Sequence, residues 1–110
     1  MTSDVQLSLP AEAGVIAQRL QRMSPERIYL FGSHARGEGD ADSDLDFLVV
    51  VPESTKSRYE RAVEAREFAR DVHVPKDIIV LTRAEWDADR QVVCSLASTV
   101  LREGIRLDGG

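Results

Sequence analysis

Two aspartates at i and i+2, Asp44 and Asp46, stand at the start of an apolar run from Leu45 to Val51. Ten residues separate Asp44 from a Gly32-Ser33 pair, itself preceded by the apolar run Ile28-Tyr29-Leu30-Phe31. The spacing predicts a strand, a tight turn, a loop, and a second strand that opens with two carboxylates. Side chains of a strand alternate between faces, so Asp44 and Asp46 point one way while Leu45, Phe47 and Val49 point the other, into a core. Like charges about 5 Å apart at an effective dielectric near 20 repel by roughly 3 kcal/mol. A cation between them removes that cost. Oxygen-only ligands favour Mg²⁺ or Mn²⁺ over zinc, and Mg²⁺ takes a few carboxylates together with substrate phosphates. Gly32 permits close backbone approach, and a helical turn starting at Ser33 offers N–H groups to a phosphate.

A third acid follows the same pattern. Asp77 begins the apolar run Ile78-Ile79-Val80-Leu81 much as Asp44 begins its own. If these two strands are neighbours, Asp44, Asp46 and Asp77 share one face beside the Gly32-Ser33 turn. Three such carboxylates suit phosphoryl or nucleotidyl transfer with one or two divalent ions.

The remaining elements must position these groups. Pro10 and Glu12 suit the first turn of a helix whose apolar residues Val15, Ile16, Leu20 and Met23 recur at helical spacing, and Ser24-Pro25 ends it. Met1 to Leu9 reads as a loose start. Arg27 to Phe31 is the first strand, Ser33 to Gly37 a helical turn, and Gly37, Gly39, Asp40 and Asp42 a polar loop. Phe47 to Val51 is apolar on both faces, as in a sheet covered on both sides, and Pro52 stops it. Ser54 or Thr55 is the expected cap of a helix with Tyr59, Ala62, Val63, Ala69 and Val72 inward. Its Arg58, Glu60, Arg61, Glu64, Arg66 and Glu67 read as a solvated, ion-paired face. Lys76 to Leu81 is the third strand. Thr82 and Glu85 have capping-box spacing for a helix that breaks near Asp87-Asp89 and resumes with Val92, Val93, Leu96, Val100 and Leu101 inward. Gly104 is its stop, Ile105-Arg106-Leu107 a last edge strand, and Asp108-Gly109-Gly110 a frayed end. Cys94 reads as buried filler in a helix face, His73 and Trp86 as packing or surface residues.

The chain has 110 residues, 43% of them hydrophobic, and a formal charge of -5. One domain spanning residues 1–110 is expected, with a core of limited area. An overall negative field repels nucleic acid, so direct binding to it is not expected without a local basic patch. A single cysteine fits a reducing compartment. No signal peptide and no long apolar span are visible, which points to the cytoplasm.

The chain resembles the minimal nucleotidyltransferases of the DNA polymerase β superfamily. The resemblance rests on Phe31-Gly32-Ser33, Asp44-Leu45-Asp46 and Asp77, and on the longer forms Gly32 to Gly37 and Ser43 to Phe47. It runs from the first helix to Leu107. It implies an α/β (α+β) fold with a small mixed sheet and flanking helices, like the polymerase β palm. It implies a Mg²⁺-dependent site for a nucleoside triphosphate, usually ATP. Gly32 and Ser33 match the triphosphate turn, Asp44 and Asp46 the metal pair, and Asp77 the third acid that helps deprotonate the attacking hydroxyl. Arg36 matches the subgroup's arginine. It either steadies a phosphate as a planar donor fork or fixes the loop by pairing with an acid such as Asp42 or Asp44. His34 falls at a variable position, a bystander close enough to touch a phosphate.

Short members of this group pair with a separate helical protein of the HEPN class, an RNase-like toxin for which the nucleotidyltransferase is the antitoxin. Some transfer AMP from ATP to a tyrosine of the toxin. The resemblance therefore implies a protein adenylyltransferase with a HEPN toxin as partner, alone or in a homodimer or hetero-oligomer. Two alternatives remain. One is a non-catalytic, nucleotide-binding antitoxin that neutralises by contact. The other is nucleotidyl transfer to a small molecule.

Overall fold

A computed structural model of the chain describes residues 10–39 and 43–107. Four strands form one mixed sheet in the order β3-β2-β1-β4. β1 is Arg27–Phe31, β2 Leu45–Val51, β3 Lys76–Thr82 and β4 Ile105–Arg106. β1 runs antiparallel to both β2 and β4, while β2 and β3 are parallel. The parallel pair needs a crossover. Helix α2, Arg58–Phe68, supplies it. Helix α1, Ala11–Leu20, precedes β1. Helices α3, Arg83–Asp89, and α4, Leu96–Glu103, lie between β3 and β4.

Alternation along β2 divides the core. Leu45, Phe47, Val49 and Val51 meet Ile16 and Leu20 of α1 and Ala65 of α2 on one face. Leu48 and Val50 meet Trp86 of α3 and Ala97 and Val100 of α4 on the other. The expected sheet covered on both sides is therefore present, and the expected β4 forms an edge. The capping box joins Thr82 and Glu85 as anticipated. α1 ends through the short 3₁₀ turn Gln21–Met23, and Ser24 before Pro25 takes a left-handed φ of 53°, in keeping with the ban on αR there.

Several local readings need correction. The cap of α2 is Ser57, in a capping box with Glu60, not Ser54 or Thr55. Ser54 instead accepts from the Lys56 backbone N–H. α2 is turned so that Tyr59 and Val63 are exposed, and so is Val15 of α1. The inner face of α2 carries Ala65 and, unexpectedly, Arg61. Arg61 is no part of a solvated face. Its guanidinium donates to the carbonyls of Lys56 and Val80 and to both carboxylate oxygens of Glu85. A planar fork can satisfy all these acceptors at once, and this lets a charge lie under the helix.

The second half of the expected final helix is also different. Val92 and Val93 are exposed, and so is Leu101. α4 begins only at Leu96, with Ser95 as its cap. The Asp89 carboxylate accepts from the Ala97 N–H, and the Ser95 hydroxyl donates to the Asp89 carbonyl. These side-chain bonds close the turn between α3 and α4. Cys94 sits in that turn at a φ of 61°, exposed rather than buried. Trp86 is buried and stacks on Tyr29, with ring centroids 5.5 Å apart, while His73 is exposed. Among the described residues no helix is long and apolar enough to cross a membrane. The readings of Met1 to Leu9, of Asp40 and Asp42, and of Asp108 to Gly110 lie outside the described residues.

Candidate nucleotidyl-transfer site

The site is set by strand register. Asp46 of β2 is the direct partner of Asp77 in the parallel β3. Paired residues of adjacent strands project to the same face, so both carboxylates leave the sheet on the side of Leu48 and Val50. Asp44 stands two residues before Asp46, just ahead of β2, and its charge acts on the Asp46 carboxylate. The Leu45 N–H donates to the Pro75 carbonyl at 3.0 Å, which ties the entrance of β2 to the entrance of β3. Across β2, Phe31 is the register partner of Asp46. The chain leaves β1 there and enters Gly32-Ser33. The two acidic strand entrances and the turn thus meet at one end of the sheet.

Gly32 has a φ of +80°, a conformation that costs other residues about 1–2 kcal/mol. It also has Asp46 against it. A Cβ at Gly32 would collide with the carboxylate Oδ2 of Asp46 and would stand 3.2 Å from its Cγ. Glycine is therefore required twice over, by its backbone angle and by the acid that packs on it. The following residues form one helical turn. The Arg36 N–H donates to the Gly32 carbonyl, that of Gly37 to His34, and that of Glu38 to Ser33. The last two bonds, with Gly37 at a φ of +76°, make a Schellman closure. Among the described residues, the N–H groups of Ser33, His34 and Ala35 donate to no backbone carbonyl. They are the donors that a phosphate would meet.

The electrostatics of Asp46 report the grouping. Its pKa is raised above the ordinary carboxylate value by burial first, then by the charges of Asp77 and Asp44. His34 and Arg36 pull it the other way. The carboxylate field is thus only partly balanced by the protein. Among the described residues, however, no three His, Cys, Asp or Glu side chains stand together closely enough to hold one ion. Asp44 and Asp77 are exposed. Asp46 and Asp77 offer hard oxygen donors from one face, and a divalent cation would relieve their repulsion.

Arg36 pairs with neither Asp44 nor any other strand acid. Its Nε donates to Glu38 at 3.1 Å, and its outer nitrogen lies 3.6 Å from Glu103 at the end of α4. Asp42, the other expected partner, lies outside the described residues. His34, at its variable motif position, has a structural place in the loop. It is 9% exposed, its Nε2 lies 3.2 Å from the Ser43 carbonyl, and its ring packs on the backbone of Gly39. It joins the turn to the residue before Asp44. The only signal for this in the sequence was a lone imidazole between two glycine-rich segments. Glu103 gave none, because its link to Arg36 depends on where α4 ends.

Known proteins share this fold. The chain resembles, at 24% identity over 94% of its length and 82% of the other chain, a protein of Sulfolobus solfataricus described as a candidate nucleotidyltransferase, with a TM-score of 0.60. A toxin–antitoxin structure with AMP-PNP matches at 24% identity over 92% of this chain and 75% of that one, with a TM-score of 0.53. A mutant of the toxin–antitoxin pair MntA-HpeT matches at 21% identity over 92% and 75%, with a TM-score of 0.50. At these identities the likeness establishes the shared fold. No curated protein sequence matches the chain significantly. The nucleotidyltransferase domain family matches residues 15–107, nearly the whole described chain, and the protein belongs to that family.

Proposed function

We propose that this chain transfers AMP from ATP to a hydroxyl on a partner protein, a tyrosine of a HEPN-type toxin, and so acts as its antitoxin. The observation that carries the reading is the Asp46–Asp77 register, with Asp44 just ahead of β2 and Gly32 against Asp46. Family membership supports nucleotidyl transfer. The toxin–antitoxin neighbours, one of them with AMP-PNP, support a toxin partner and an adenine nucleotide.

Asp44, Asp46 and Asp77 would hold Mg²⁺ or Mn²⁺, which supplies charge neutralisation at the phosphates and lowers the pKa of a bound hydroxyl. The N–H groups after Gly32 receive phosphate oxygens. Arg36, held by Glu38 and Glu103, keeps the turn in place and adds positive charge nearby. The acceptor oxygen attacks the α-phosphorus, the bond to pyrophosphate breaks, and the acceptor's proton passes to the Asp77 carboxylate. Asp77 sits at the exposed strand entrance, where a partner's side chain can approach.

The test is incubation with α-labelled ATP, Mg²⁺ and the protein encoded by the neighbouring gene. Label on a partner tyrosine is expected, with a loss of about 100-fold or more in Asp46→Asn and Asp77→Asn. Neutralisation by those variants without any label would overturn the reading. It would favour the second one, antitoxin action by contact. The spread of the three carboxylates noted above is the observation on its side.

A further inference from the structure

At the opposite end of the same sheet face lies a cleft of about 440 Å³, lined by four arginines, two acids and Trp86. We infer that this cleft is a second anion site that binds a phosphate group, independent of the nucleotidyl-transfer site.

Its cations come from separate elements that the fold brings together. Arg83, Trp86, Asp87 and Arg90 repeat at i, i+3, i+4 and i+7 and form one stripe of α3 and its cap. Facing them are Arg27, first residue of β1, and Arg106 of β4. Arg106 is the register partner of Tyr29, and Arg27 lies two residues before Tyr29, so all three share one face. The chain as a whole is acidic, yet four guanidiniums and two carboxylates line this cleft. Arg83 pairs with Glu26 and Arg90 with Asp87. Arg27 instead donates to the Tyr29 hydroxyl at 2.8 Å, a neutral partner.

A volume of this size falls in the range of small-ligand sites, about 300–1,000 Å³. One bidentate arginine saturates a carboxylate, whereas several forks around one space suit the multiple oxygens and double charge of a phosphate. The phosphate can belong to a free nucleotide or pyrophosphate, or to an RNA backbone. The inference does not depend on the reaction proposed above.

Trp86 is the chain's one tryptophan, so its fluorescence reports on the cleft directly. The full chain is titrated in EDTA at low salt with pyrophosphate, with a short single-stranded RNA and with a glutamate-rich peptide. A saturable change with pyrophosphate or RNA is expected, weakened about tenfold or more in Arg27→Gln and in the exposed Arg90→Gln. It is expected to be unchanged in Asp46→Asn. Tighter binding of RNA per phosphate assigns the ligand to a polymer, and tighter binding of pyrophosphate to a free phosphate. Circular dichroism identifies a variant that has not folded, and Arg90→Gln then stands alone. No saturable change with either phosphate, or a change that survives the arginine substitutions, would overturn the inference. So would tighter binding of the peptide.

Discussion

Gly32 and Asp46 constrain one another. The Asp46 carboxylate occupies the space that a Cβ at Gly32 would take. Gly32→Ala is expected to cost about 1–2 kcal/mol from the backbone angle alone, and more from the collision, and to weaken ATP binding in step. Urea unfolding and nucleotide titration of the same variant check both. Asp46→Asn should behave in the opposite way in metal-free buffer. The raised pKa means that the folded state disfavours the charged form. Removing the charge is therefore expected to stabilise the chain slightly, by less than about 1 kcal/mol given the partial exposure of the site, while abolishing transfer. A fall in melting temperature in EDTA would contradict this. The shared face of Asp46 and Asp77 and the turn at Gly32 were readable from residue type and spacing, because strand alternation and the need for glycine act locally. His34 and Glu103 were not, because their partners, the Ser43 carbonyl and Arg36, are chosen by how the loop and the end of α4 fold back.

At the scale of elements, the α2–β3–α3 unit is joined by Arg61 and Glu85. Arg61 is nearly fully buried and Glu85 about a third exposed. The hydrogen bonds from Arg61 lower the pKa of Glu85 to about 2 from an ordinary 4.5. A depressed carboxylate pKa gives stability that is complete above the unfolded value and fades as pH falls through the folded one. The stability gap between wild type and Glu85→Gln is thus expected to be full near pH 7 and to shrink from pH 4.5 towards about 2. Denaturant unfolding at pH 7, 4 and 3 measures it, and a gap that stays constant would contradict the pairing. Arg61→Leu should cost roughly 2–3 kcal/mol at neutral pH, because it strands the Glu85 charge and the Val80 carbonyl. The strands were legible in the sequence because their apolar runs are short, bounded and alternate. The helix faces were less so. Arg61 follows the pattern of a surface charge, yet its long stem reaches carbonyls beneath the helix. Val92 and Val93 follow the pattern of a core, yet the Asp89 and Ser95 bonds break the helix there and leave both outside.

The whole molecule separates charge along one sheet face. Carboxylates gather where β2 and β3 begin, and guanidiniums gather where β1 begins, with the Tyr29–Trp86 stack between them. A negative net charge therefore does not mean a uniformly negative surface. This is why overall composition argued against nucleic-acid binding while four arginines still gather around one cleft. The acidic end is the one on which the enzymatic account rests, and it can be probed without any acceptor. Electron paramagnetic resonance of Mn²⁺ titrated into the chain with ATP measures the ion held there. The account predicts tight binding in wild type and a loss of about tenfold or more in both Asp46→Asn and Asp77→Asn. Wild-type Mn²⁺ binding by Asp77→Asn would contradict it, since the third carboxylate would then have no part in the site.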